Sequence, residues 1–162
     1  EWVLSHDDAY LRSHSKEKKL IREHLKKPGK TFLIEEVAYT WFNRIAALRF
    51  MDNRHYNTIK IVSPAKGATQ PELLSVLKRG EIPKHLAGVK QEIEDLLNGR
   101  IQTKQPDREV FKIALLTYCN HMGAVMPFLF KKIDDWAALL LPVDLLSSES
   151  IISDFQTTIT EE

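Results

Sequence analysis

The sequence is poor in the residues from which small enzymes build their sites. It has one cysteine, Cys119, in 162 residues. A single thiol cannot close an internal disulfide, which fits a reducing cytosol and predicts a cytoplasmic protein. The six glycines are scattered and no G-x-G occurs. Phosphate-cradling loops need clustered glycines, so neither a P-loop nor a dinucleotide fingerprint can be drawn. G-x-S-x-G is missing as well, which removes the nucleophile elbow of the α/β-hydrolases. The six histidines are His6, His14, His24, His55, His85 and His121, and none forms an H-x-x-x-H pair. Zinc sites depend on short ligand spacings of that kind. Cys119 and His121 stand two apart on a predicted helix, so they do not face the same way. The acidic pairs Glu35-Glu36, Asp134-Asp135 and Glu161-Glu162 are adjacent in sequence. Neighbours on a helix diverge, so these read as capping or solvated groups rather than an acid–base pair. No reaction can be assigned from the chain's own residues.

Long apolar runs are also missing. The longest, 124–130 and 137–142, fall far below the roughly 18 residues that a membrane helix needs. The chain opens with Glu1-Trp2 rather than Met, without the basic-then-apolar profile of a signal peptide. Such a start is expected of a piece cut from a longer chain.

The residues that are present are ordinary in amount and uneven in placement. Hydrophobic residues make up 43% and charged residues 28%, as in a globular domain able to bury one core. The net charge of +1 hides a split. Lys132 is the last basic residue, so residues 1–132 hold 23 basic and 15 acidic groups, and the last thirty carry −7. Two ends of opposite sign are expected to face different partners, or each other. The densest basic run is Lys16, Lys18, Lys19, Arg22, Lys26, Lys27 and Lys30, opposed only by Glu17 and Glu23. A helix so charged can follow a phosphate backbone and release counterions; it can equally be a solvated face.

Helix signals dominate. Ser5-His6-Asp7-Asp8 predicts a capped short helix through Leu11. Residues 15–27 favour helix and stop at Pro28-Gly29. Thr31 is placed to cap the next helix, with Glu35 and Glu36 in its early turns, ending near Asp52-Asn53. Within it, "VAYTWFNRIAALRFMD" (37–52) has apolar side chains pointing all round the axis, which predicts a buried helix. Arg44 and Arg49 project about 140° apart at about 100° per residue, too far for one cationic face. "HYNTIKIVS" (55–63) is the only stretch with strand character. Thr69 and Glu72 suggest a capping box for a helix to Arg79. Pro83–Asn98 predicts one amphipathic helix, and Asp107 a cap for the apolar helix after it. Pro127 breaks or kinks the chain beyond that helix, and a last helix is expected near 149–157. The expected fold is therefore mainly α: an irregular multi-helix bundle with at most one short strand or hairpin near 55–63. Residues 1–30 read as a basic helical arm and 31–162 as a helical accessory domain.

Two long strings resemble a known family. "EEVAYTWFNRIAALRFMD" (35–52) and "CNHMGAVMPFLFKKIDDWAALLLPVDLLSSESIISDF" (119–155) resemble, in order and spacing, segments of the PglX-type adenine-specific DNA methyltransferases of BREX phage-resistance systems. "IKIVS…PELL" (59–74) fits the same family more loosely, so the resemblance covers roughly 33–162. It implies a helical region that precedes a methyltransferase domain. That domain would bind S-adenosylmethionine, carry an N-P-P-Y-type motif and methylate adenine in duplex DNA after flipping the base. This chain has no N-P-P-[FYW], so no residue of it takes a catalytic, cofactor or metal role from the resemblance. The expected role is to clamp or position double-stranded DNA as a non-catalytic domain. The alternative is a protein-docking module that uses Trp136 and Leu139–Leu141 to contact the catalytic domain, another defence subunit or an inhibitor.

Overall fold

The computed structural model describes residues 15–130, 135–138, 140–142 and 144–159; the helix predicted from Ser5 to Leu11 lies outside them. The architecture is mainly α. Helix α1 spans Ser15–His24 and α2 Lys30–Asn53. They are followed by α3 (Glu72–Lys78), a 3-10 turn (Lys84–Val89), α4 (Lys90–Leu97) and α5 (Pro106–Met122). The short α6 (Asp135–Ala138) and α7 (Ile151–Thr158) complete the order. These elements form two compact units, one from residues 1–42 with 133–143 and one from 43–132 with 144–162.

In the first unit, α1 ends at His24, short of the expected 27, and a π-type turn, Leu25–Gly29, carries the chain to α2. Lys27 is extended (φ −157°, ψ 118°) and Gly29 has φ +117°, a backbone open to glycine and closed to most side chains. The kink, rather than a Thr31 side chain, sets the start of α2, and Thr31 falls inside it. Ile21 and Leu33 form the buried core, with Leu25, Val37, Ala137 and Leu140 packed against it. Leu141 is also buried and Leu140 half-buried, so these two do not stand open for docking. The side chains of Trp136 and Leu139 lie outside the described residues.

In the second unit, α5 packs against α3, the 3-10 turn and α4. It buries Val110, Phe111, Ala114, Leu115, Tyr118, Cys119 and Met122. Leu73, Leu74, Leu77, Leu86 and Ile93 are buried on the elements around it, and Ile45 and Leu48 from α2 are buried too. The single helix expected over Pro83–Asn98 is divided. Val89 (φ −116°, ψ 10°) leaves helical geometry between the 3-10 turn and α4, next to Gly88, which holds a helix poorly. Leu86, Ile93 and Leu96 still share the buried side. Two expected caps are replaced. Gln105, not Asp107, precedes α5, with Pro106 in the first turn, where its missing N–H costs nothing. Asp107 instead accepts from Lys78 Nζ at 2.6 Å. Glu72 Oε2 accepts from the Lys60 backbone N–H at 2.9 Å rather than closing a box with Thr69.

α2 corrects the expectation of a helix buried all round. Trp41, Arg44, Ile45, Leu48, Arg49 and Asp52 are buried, while Tyr39, Phe42 and Phe50 are exposed. The arginines about 140° apart mark the two edges of the buried arc, and the exposed rings fall outside it, Phe42 just beyond Arg49 and Tyr39 and Phe50 on the far side.

Candidate nucleic-acid interface

Six of the seven expected phosphate-contacting cations are exposed: Lys16, Lys19, Arg22, Lys26, Lys27 and Lys30. Lys18 is turned inward on the side of Ile21, with 9% of its surface exposed, and leaves the outward row. Lys16, Lys19 and Arg22 recur every third residue, which keeps them neighbours along α1. Lys26 and Lys27 lie on the distorted turn after it, and Lys30 opens α2.

The second unit contains a polar centre that sequence reasoning missed. Asp52, with no exposed surface, ends the buried side of α2 and organises the segment after it. Its Oδ1 accepts from Asn57 Nδ2 at 2.8 Å and from the Ile61 N–H at 2.9 Å. Its Oδ2 accepts from the Val62 and Ser63 N–H groups at 2.9 and 3.0 Å and from Ser63 Oγ at 2.9 Å. The backbone donors that a strand would spend on a neighbour are spent on this carboxylate, so 55–63 is a loop. Arg49 completes the centre. It donates to Ser63 Oγ at 2.7 Å and to the Ile159 carbonyl at 2.6 Å, at the end of α7, where helix carbonyls lack intrahelical donors. Gln156 Nε2 returns a hydrogen bond to the Val62 carbonyl at 2.8 Å. The one signal in the sequence is that Asp52 is the lone acid between Val37 and Pro71.

Beside it lie the titratable groups closest to a cluster. His85 meets Tyr118 edge to face at 4.9 Å and stacks on His121 at 5.7 Å. Burial, and then His121, hold His85 below its ordinary pKa, and its buried Nε2 has no hydrogen-bond partner. Tyr118 donates to Asn57 Oδ1 at 2.7 Å, and burial, then Asp52 and Cys119, push its pKa up to about 12. Burial pushes the Cys119 thiol up to about 12 against the pull of Arg44, so it is not a poised nucleophile. Cys119 and His121 do diverge, one buried and one exposed. Among the described residues no group of three or more His, Cys, Asp or Glu could hold a metal ion, and no helix is long and apolar enough to cross a membrane.

No family model matches the chain. It is 32% identical over 136 residues to the adenine-specific methyltransferase BrxX of Escherichia coli O9:H4 (strain HS), covering 83% of this chain and 11% of that protein. It is 33% identical over 136 residues to the adenine-specific methyltransferase PglX of Lacticaseibacillus casei (strain Zhang), covering 82% of this chain and 11% of that protein. The chain is a segment of the PglX-type methyltransferase family. It spans about a tenth of the length of the curated relatives it matches. In this PglX-type segment the string "VAYTWFNRIAALRFMD" supplies the buried arc of α2, both edge arginines and the Asp52 centre.

Proposed function

We propose that this PglX-type segment is a non-catalytic positioning element of a DNA adenine methyltransferase in a phage-defence system. The observation that carries the reading is the outward row Lys16, Lys19, Arg22, Lys26, Lys27 and Lys30, along α1, the turn after it and the first residue of α2. Lysines and arginines so placed neutralise backbone phosphates and fix the register of a duplex without reading its bases. Adenine recognition and methyl transfer belong to the remainder of the parent chain, as does S-adenosylmethionine. Fluorescence anisotropy of a labelled duplex, titrated with salt, tests the role. Reversing Lys19, Arg22 and Lys26 to glutamate should lower affinity and reduce the slope of log K against log salt by about 2–3. Binding unchanged by the triple reversal refutes it.

One observation favours a second reading, docking onto the parent's catalytic domain or another subunit. Phe32, Tyr39 and Phe42 are exposed on α2 within the first unit and project within about 80° of one another at about 100° per residue, and exposed apolar side chains sharing a face mark contact surfaces. Replacing Phe32 and Tyr39 with serine would then lower methylation by the full-length parent while leaving duplex binding by this chain unchanged.

A further inference from the structure

The end of α2, in the second unit, carries an aromatic and cationic tip that neither the phosphate row nor the docking surface uses. Phe50 and Tyr56 are 50% and 68% exposed, and their rings meet edge to face at 6.2 Å. The Arg54 guanidinium lies 5.7 Å from the centre of the Phe50 ring, within cation–π range. The backbone beneath them is fixed. Tyr56 N–H bonds the Met51 carbonyl at 2.9 Å and His55 N–H the Asp52 carbonyl at 3.2 Å, the paired pattern of a Schellman cap. That motif places one residue in the left-handed region, usually glycine. Here it is His55, with φ +55°. A side chain kept where glycine is easier is a local cost, and such costs gather at contact sites. On the other side of the tip, Asp52 holds the loop through five hydrogen bonds.

Charge identifies the partner. From Phe50 to Pro71 the only acid is Asp52, and it is buried and fully engaged. The exposed groups of this stretch include Arg54, His55 and Lys66 as well as the two rings, while its aliphatic Ile61 and Val62 are buried. Rings and arginine also serve protein interfaces, but this surface sets them among cations with no exposed carboxylate from Phe50 to Pro71, which suits a polyanion. That is the composition that stacks nucleobases in single-stranded nucleic acid.

We propose that Phe50, Arg54 and Tyr56 form a stacking platform for an unpaired DNA base. The platform is pre-organised by the His55 cap and the Asp52 centre, so little ordering accompanies binding. It rests on the reading that this segment meets DNA, and adds a base-directed contact to the phosphate row. The first contact would be blind to base identity, because every base offers a π-face.

The test uses the full 162-residue chain and two labelled duplexes, one fully paired and one with a single bulged 2-aminopurine. The wild-type chain should bind the bulged duplex more tightly and quench its 2-aminopurine fluorescence. Tyr56→Ala and Phe50→Ala should each weaken binding to the bulged duplex roughly 5- to 150-fold and abolish the quenching. Both should keep the salt slope and the thermal midpoint, since the rings are exposed. Reversing Lys19, Arg22 and Lys26 should weaken binding to both duplexes alike. Quenching that is absent in the wild type, or that survives in both ring variants, overturns the platform even if the phosphate row stands. A chain whose ring variants lose binding while the lysine reversal has no effect keeps the platform and overturns the row. Binding of neither duplex overturns both.

Discussion

Asp52 and His55 are three residues apart and behave oppositely. Asp52 is a buried carboxylate with five donors aimed at it. Asp52→Asn places an amide N–H₂ against those donors. It should destabilise the chain by about 2–4 kcal/mol, read from urea unfolding. His55 works against its backbone, so His55→Gly should raise the unfolding free energy by roughly 0.5–1 kcal/mol, seen as a higher thermal midpoint. His85 sets an acid limit. Folded His85 holds a proton less readily than its ordinary value of 6.5 allows, so protons favour the unfolded chain. Its share of stability is present above pH about 6.5 and falls as the pH drops below it, by no more than about 1.4 kcal/mol per pH unit. Urea midpoints measured between pH 7.5 and 5 should decline, and His85→Asn should flatten that decline. None of these three roles is legible in the sequence. A lone Asp or His among apolar neighbours looks the same whether it faces solvent or a set of backbone donors, and only the folded loop aims those donors.

Helices are legible as helices, and their boundaries less so. The break between α1 and α2 contains Pro28-Gly29 as their chemistry dictates, although α1 itself ends at His24, and α2 ends at Asn53. The departures share one cause: local side-chain chemistry predicts a cap or a strand where a distant partner decides. Glu72 serves Lys60, Asp107 serves Lys78, and 61–63 serve Asp52. Pattern alone overstates the buried face of α2, because aromatic residues count as core in any pattern although exposed apolar surface is common in folded proteins. The basic run is legible in kind, and its one inward member, Lys18, is not. The turn after α5 carries a further test. A Cβ on Gly123 would stand 2.5 Å from the Phe130 carbonyl oxygen, whereas one on Gly88 would meet nothing within 4 Å. Gly123→Ala should therefore cost roughly 1–3 kcal/mol, and Gly88→Ala should be close to neutral. A comparison of their thermal midpoints checks it.

On the scale of the whole molecule, the single cysteine reports on opening of the second unit. Cys119 is buried and its thiol is held high by that burial. A thiol reagent at pH 8 should react with the folded chain only as fast as the core opens, and at once in urea. Fast reaction without denaturant would show that α5 is not the closed centre described. The second unit also has an unusual distribution of its decisive bonds along the chain. Arg49 reaches the Ile159 carbonyl across 110 residues, and Gln156 reaches the Val62 carbonyl across 94. Loop-closure entropy must be overcome before contacts so distant contribute. On the ribosome, α2 through α5 emerge with the Arg49 guanidinium still lacking its helix-end carbonyls, and the centre closes only once Ile159 has left the exit tunnel. Until then the central arginine of the second unit waits without its final partner.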